Sequence, residues 1–146
     1  RALVVLERVR TFGHGENPHQ RAAAYRRFGA APGGPLAAPL AQGDEPTLND
    51  LLDLDAGARL VADLPAPSAA VIRHTDPIGV ATAETAYGAF SRAVETDAAA
   101  ATGAVVALNV AIDRATAAEI VAGSYEAVVA PAVADDATAI PCPREP

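Results

Sequence analysis

From Thr47 onward the chain becomes regular. Leu51, Leu54, Ala58, Val61 and Leu64 recur at helical spacing with acidic residues between them, which predicts an amphipathic helix. Thr47 or Asn49 is placed to cap it. The helix must end before "PAP" at 65–67, because proline disfavours helical geometry in the residue before it. Three units then repeat one order of elements. A strand over 69–74 precedes a helix over 84–96; a strand over 103–109 precedes a helix over 114–122 capped by Asp113; a strand over 125–131 precedes the start of a last helix over 134–140. Short continuous apolar strands alternating with helices predict an α/β fold with a mostly parallel sheet covered on both faces. In such sheets ligands gather at the carboxyl ends of strands, where His74, Asn109 and Pro131 fall.

The first third is less periodic. "ALVVLERV" (2–9) reads as a strand or the lead-in to one, and "FGHGENPHQ" (12–20) is loop chemistry. Residues 28–46 are rich in Gly and Pro without a period, so they read as an ordered excursion or a mobile flap. The 146 residues suit one domain spanning the whole chain.

Composition narrows the function classes. A formal charge of −7 argues against a nucleic-acid surface, which needs a basic stripe. No apolar run is long enough and free enough of charge to cross a bilayer, and the start lacks the layout of a secretory signal, so a soluble cytoplasmic protein is expected. The single cysteine, Cys142, gives neither an internal disulfide nor a thiolate metal cage within one chain. The chain contains no lysine, so no step needing a lysine amine can be run by it.

His74 is the foremost candidate for chemistry. An imidazole at a strand's end, followed by a turn that fixes its direction, can take a proton from an attacking amine or hydroxyl and return it to a leaving group. The bland alternative is a surface or satisfied structural histidine. Arg73 cannot lose its proton, so it stabilises anionic charge or clamps a carboxylate or phosphate, unless it merely sits in a surface ion pair. In an extended strand its side chain points opposite to that of His74, and the two converge only if the strand has ended or bulged there. His14, Glu16, Asn17 and His19 make the first loop a candidate substrate wall, or a plug whose polar groups satisfy buried backbone. Their spacing matches no strong zinc signature, so no metal is expected. Asp50, Asp53 and Asp55 lie near the start of the first helix, where negative charge complements the helix dipole.

Several segments, in order, resemble the transformylase domain of the bifunctional purine enzyme family, the AICAR transformylases that precede inosinate formation. That family reads R-Y-G-E-N-P-H-Q, Y-N-N-x-x-D-x-D-A, K-H-x-N-P-C-G-V-A, S-A-F-G-G-I-I-A-L-N and E-V-I-I-A-P. Here stand "GHGENPHQ" (13–20), "TLNDLLDLDA" (47–56), "RHTDPIGVA" (73–81), "AATGAVVALN" (100–109) and "EAVVAP" (126–131). The resemblance covers nearly the whole chain but only the first half of the family's transformylase domain. It implies a cytidine-deaminase-like, three-layer α/β/α fold without zinc, and a homodimer or a separate partner to supply the missing half.

The departures bear on substrate. The family's lysine-histidine pair is here Arg73-His74, and its phosphate-contacting Arg-Tyr pair aligns with Gly13 and His14. Asp50 and Asp76 replace asparagines, Ile78 a cysteine and Thr102 a phenylalanine. Losing a phosphate-pairing arginine while adding carboxylates disfavours a nucleotide monophosphate. The expectation is an enzyme repurposed for nucleophile-to-carbonyl chemistry on another small molecule in specialised metabolism, by acyl transfer or by cyclisation with loss of water. His74 would be its acid/base and Arg73 its oxyanion or carboxylate partner. His14, Glu16, Asn17, Asp50 and Asp76 would contact an amine-bearing substrate, together with Thr102, Gly103, Asn109 and Glu126. No cofactor is expected under that reading. The alternatives are formyl transfer from 10-formyltetrahydrofolate, and a non-catalytic binding or scaffold protein.

Overall fold

The computed structural model describes residues 2–31 and 33–141; Cys142 and what was inferred from it lie outside the described residues. Strand β1 (Leu6–Phe12) pairs antiparallel with β2 (Ala22–Arg27), and a single 3-10 turn follows at Pro35–Ala37. Helix α1 (Leu48–Ala62) precedes β3 (Ser68–Arg73) and β4 (Asp76–Thr82), and α2 (Ala86–Glu95) precedes β5 (Ala104–Leu108). Then come α3 (Arg114–Ala122), β6 (Tyr125–Val129) and the single turn of α4 (Asp135–Thr138).

The four-stranded sheet runs β4-β3-β5-β6. Its layers follow from strand alternation, since successive side chains point to opposite faces. Ala70, Ile72 and Ala107 meet Val61 of α1 on one face. Ala69, Val71, Ala104, Val106 and Leu108 share the opposite face's core with Ala89, Phe90 and Ala93 of α2 and Ala117 of α3. Helices therefore cover the sheet on both faces. The β1-β2 ribbon joins through Phe12, Ala22 and Ala24, which pack with Leu51, Leu54 and Val105.

The expected mostly parallel sheet is corrected to a mixed one. Only β5 and β6 run parallel, and β3 is antiparallel to both of its neighbours. The reason is β4, a stretch that reads as a turn because of Pro77 and Gly79. Two residues separate β3 from β4, enough for a hairpin and far too few for a parallel crossover. Pro77 is tolerated because β4 is an edge strand. Gly79 is required by packing: a Cβ there would lie 1.9 Å from the Ala93 carbonyl oxygen of α2.

The remaining elements lie close to their expected places. The first strand sits at Leu6–Phe12 rather than 2–9, and its partner β2, alanine-rich and weak in strand propensity, gave no signal. The segment 33–46 packs beside α1, and Gln42 Nε2 donates to the Ile140 carbonyl at 3.3 Å. No described helix is long and apolar enough to cross a membrane.

Candidate functional site

The Arg73↔Asp76 pair closes the β3-β4 hairpin over His74 and Thr75. Both central residues are left-handed, with φ of 54° and 66°. A two-residue turn with positive φ at both positions is compatible with the twist of the flanking strands, and Asn-Gly is its usual occupant. A histidine and a β-branched threonine there cost about 1–3 kcal/mol each. Asp53 of α1 offsets this. Its Oδ2 accepts from the His74 amide at 3.1 Å and its Oδ1 from the Thr75 amide at 2.7 Å. The Thr75 hydroxyl donates to the His74 carbonyl at 2.6 Å. The strand thus ends at Arg73, which releases His74 from strict opposition to it.

Arg73 reaches the segment before β5. Its Nη1 donates to the carbonyls of Thr102 at 3.0 Å and Ala100 at 3.3 Å. Gly103 turns there with φ of 70°, and a Cβ on it would lie 3.7 Å from Glu126 Oε1 and 4.0 Å from Arg73 Nη2. Arg73, Thr102, Gly103 and Glu126 are therefore neighbours, and Asp76 adjoins Arg73 by strand pairing.

Asn109, also expected as a substrate contact, is not among them: the structure sets it apart from His74. Because β3 and β5 are antiparallel, with Ala69 beside Leu108 and Ile72 beside Val105, the carboxyl termini of β3 and β5 lie at opposite ends of the strands. Asn109 and His74 are thus a strand's length apart, roughly 17 Å at ~3.3 Å per residue. The Asn109 amide is also fully engaged: Oδ1 accepts from the Ser68 amide at 2.7 Å, and Nδ2 donates to Val61 at 2.9 Å and Leu64 at 3.1 Å. It ties the end of α1 to the start of β3.

The first loop closes on itself. Gly15 donates to the Gln20 carbonyl at 2.9 Å, Gln20 donates to Asn17 at 3.0 Å, and the Gln20 side chain accepts from the Asn17 amide at 2.9 Å. A Cβ on Gly15 would sit 2.8 Å from Gln20 Cβ, so this motif has a structural reason to stay intact. Glu16 and Asn17 are exposed. His14 Nδ1 donates to the Gly15 carbonyl at 2.8 Å, which requires the proton on that nitrogen.

Asp50 completes a capping box with Thr47, accepting from the Thr47 amide at 2.8 Å while the Thr47 hydroxyl accepts from the Asp50 amide at 3.2 Å. His14, Thr47 and Leu48 line a cavity of about 290 Å³. A second, of about 270 Å³, lies between Leu36, Pro39, Leu54 and Val128. The ion pair of Arg10 with Glu45, at 2.6 Å, borders both. Neither cavity includes His74, whose side chain is exposed.

Asp53 is the residue that sequence reasoning passed over. The helix dipole accounts for its charge, and the signal that could have found it is its place at the first Asp of the family's Y-N-N-x-x-D-x-D-A motif. Among the described residues no three His, Cys, Asp or Glu side chains converge as a metal site would require.

These features define an α/β domain that carries a histidine in a braced two-residue turn at one edge of its sheet. The chain belongs to the AICARFT/IMPCHase bienzyme family, whose profile matches residues 2–143. It is 45% identical over 136 residues to the bifunctional purine biosynthesis protein PurH of Sorangium cellulosum, covering 92% of this chain and 26% of that relative. PurH of Synechococcus elongatus is 43% identical over 128 residues, covering 86% and 25%. PurH of Sinorhizobium medicae is 45% identical over 130 residues, covering 87% and 24%. The chain spans about a quarter of the length of these curated relatives.

Proposed function

We propose that this domain serves a transformylase-type enzyme in which an amine attacks a carbonyl or formyl carbon and His74 moves the proton. In the formyl case the amine nitrogen bonds to the formyl carbon while the bond from that carbon to the donor nitrogen breaks. The imidazole takes the proton from the amine and delivers it to the departing nitrogen. The observation that carries this reading is the braced turn: a non-glycine residue in a disfavoured conformation, held there by a carboxylate from another element, is the kind of strain kept at functional sites. Arg73, tied to the carbonyls of Ala100 and Thr102, contributes positive charge near the turn and holds the Gly103 bend. Glu126, Thr102, Gly103 and Asp76 line the acceptor's approach, with His14, Glu16, Asn17 and Asp50 contributing from the first loop and the head of α1.

The exposed ring needs a second wall. A second copy of the chain, or a further stretch of polypeptide, supplies it, and the cytidine-deaminase-like arrangement implied by the family resemblance suits such a pairing. The acceptor is a small molecule without a ribose phosphate, of the kind used in specialised metabolism. Gly13 and His14 stand where the family carries its phosphate-contacting pair, and Asp50 and Asp76 add negative charge.

A second reading, formyl transfer to the purine precursor AICAR, is favoured by 45% identity over 92% of the chain to a purine biosynthesis protein. One experiment separates the two. The purified protein is given 10-formyltetrahydrofolate with either AICAR or its phosphate-free riboside, and formyl transfer is followed by chromatography. A repurposed site uses the riboside within about threefold of the nucleotide, because Gly13 stands where the family carries its phosphate-pairing arginine. A preference for the nucleotide of about a hundredfold or more, roughly 2.7 kcal/mol, establishes the purine reading instead.

A further inference from the structure

The β3-β4 turn places two successive amide N–H groups, those of His74 and Thr75, on the two oxygens of a single carboxylate, Asp53. The carboxylate comes from the first half of α1, 21 residues earlier in the chain. We infer that Asp53 is a positioning residue for His74: it selects the left-handed turn and thereby fixes the direction in which the imidazole is presented. This inference rests on the reading of His74 as the acid/base.

The chemistry of the contact supports the assignment. A carboxylate is acceptor-only, and its two oxygens match two donors that point the same way. An amide in its place would offer one acceptor and turn an NH2 group toward the second N–H. The turn has little else to select it. Neither residue is glycine, Thr75 is β-branched, and the remaining local bond is from the Thr75 hydroxyl to the His74 carbonyl. Pairing of Arg73 with Asp76 fixes the base of the hairpin but leaves the peptide between the two central residues free to rotate toward another turn type. Asp53 in turn is fixed by the helix that carries it, since Leu51 and Leu54 on either side are buried against the core. A rigid helix thus holds the tip of a hairpin at its one weak torsion, and an acid/base displaced by about 1 Å loses about a hundredfold in rate.

The test compares the unaltered protein with Asp53→Asn, Asp53→Asn/Thr75→Gly and His74→Ala, using 10-formyltetrahydrofolate with AICAR and with its riboside. Asp53→Asn is expected to lower kcat by about tenfold or more while KM stays within about threefold. Glycine at position 75 enters the left-handed region without help, so the double variant is expected to regain several-fold of the lost kcat. The amide resonance of His74 should move in Asp53→Asn and return toward its original position in the double variant. Asp53→Asn with kcat within about twofold of the unaltered protein overturns the inference while His74→Ala is still impaired. A double variant that folds but regains no activity also overturns it, as does failure of both Asp53 variants to fold, which makes Asp53 a folding residue. Unimpaired His74→Ala overturns the underlying reading, and the inference falls with it.

Discussion

At the residue scale, two positions look alike in the family motifs and differ in duty. Asn109 and His74 both end apolar strands, but Asn109 spends its amide on Ser68, Val61 and Leu64. Asn109→Ala should therefore cost about 2–3 kcal/mol, since it leaves partly buried backbone groups unpaired. A lower urea midpoint at unchanged slope would verify this, and an unchanged midpoint would refute it. Gly79→Ala should be worse, costing ~3 kcal/mol or more, because its methyl group would strike the backbone of α2. Little soluble protein, or a sharply lowered melting temperature, is the expected result. Neither cost was readable from residue type, because each depends on what lies across from the residue in another element.

At the element scale, local signals were legible and long-range ones were not. Thr47 and Asp113 were recognisable as caps because a cap bonds to amides three residues ahead, and both do so here. The β3-β4 hairpin was not recognisable. "RHTDPIG" lacks the Asn-Gly that announces such turns, and its stabilising carboxylate comes from 21 residues away. Reading the residues after His74 as a turn with no returning strand meant missing β4, and with it the direction of β3 relative to β5.

The cap of α3 gives a prediction in pH. Hydrogen bonds from the Thr116 amide and hydroxyl hold the Asp113 carboxyl below its ordinary value. A carboxylate whose folded pKa is depressed binds its proton more readily when unfolded. Its contribution is therefore present above the unfolded value and is lost as pH falls through the folded one. Asp113→Ala should destabilise by about 1 kcal/mol at neutral pH. The difference should shrink in acid, below the ordinary carboxylate range. Equal differences at neutral and strongly acidic pH would contradict the assignment.

At the scale of the whole molecule, the two-faced α/β architecture was foreseen from the alternation of apolar strands with helices, while the mixed sheet was not. The consequence is a candidate site at one edge of the sheet only, built from the β3-β4 turn, the Arg73-Gly103-Glu126 group and the first half of α1. The surface near the start of the chain is strongly apolar: Leu3 is 91% exposed and Phe28 70%. His74 is likewise exposed, and under the proposed reading a second wall has to close over it. Activity per chain should accordingly fall on dilution if a second copy completes the site, and stay constant if the wall is part of the same polypeptide.

The central claim is that chemistry passes through the imidazole of His74. Its most direct test is the single-turnover rate of His74→Ala with 10-formyltetrahydrofolate and the better of the two acceptors, with acceptor binding measured in parallel by calorimetry. The account predicts a fall of about a hundredfold or more in rate at an affinity within about threefold of the unaltered protein. A rate within about threefold of the unaltered protein would contradict it.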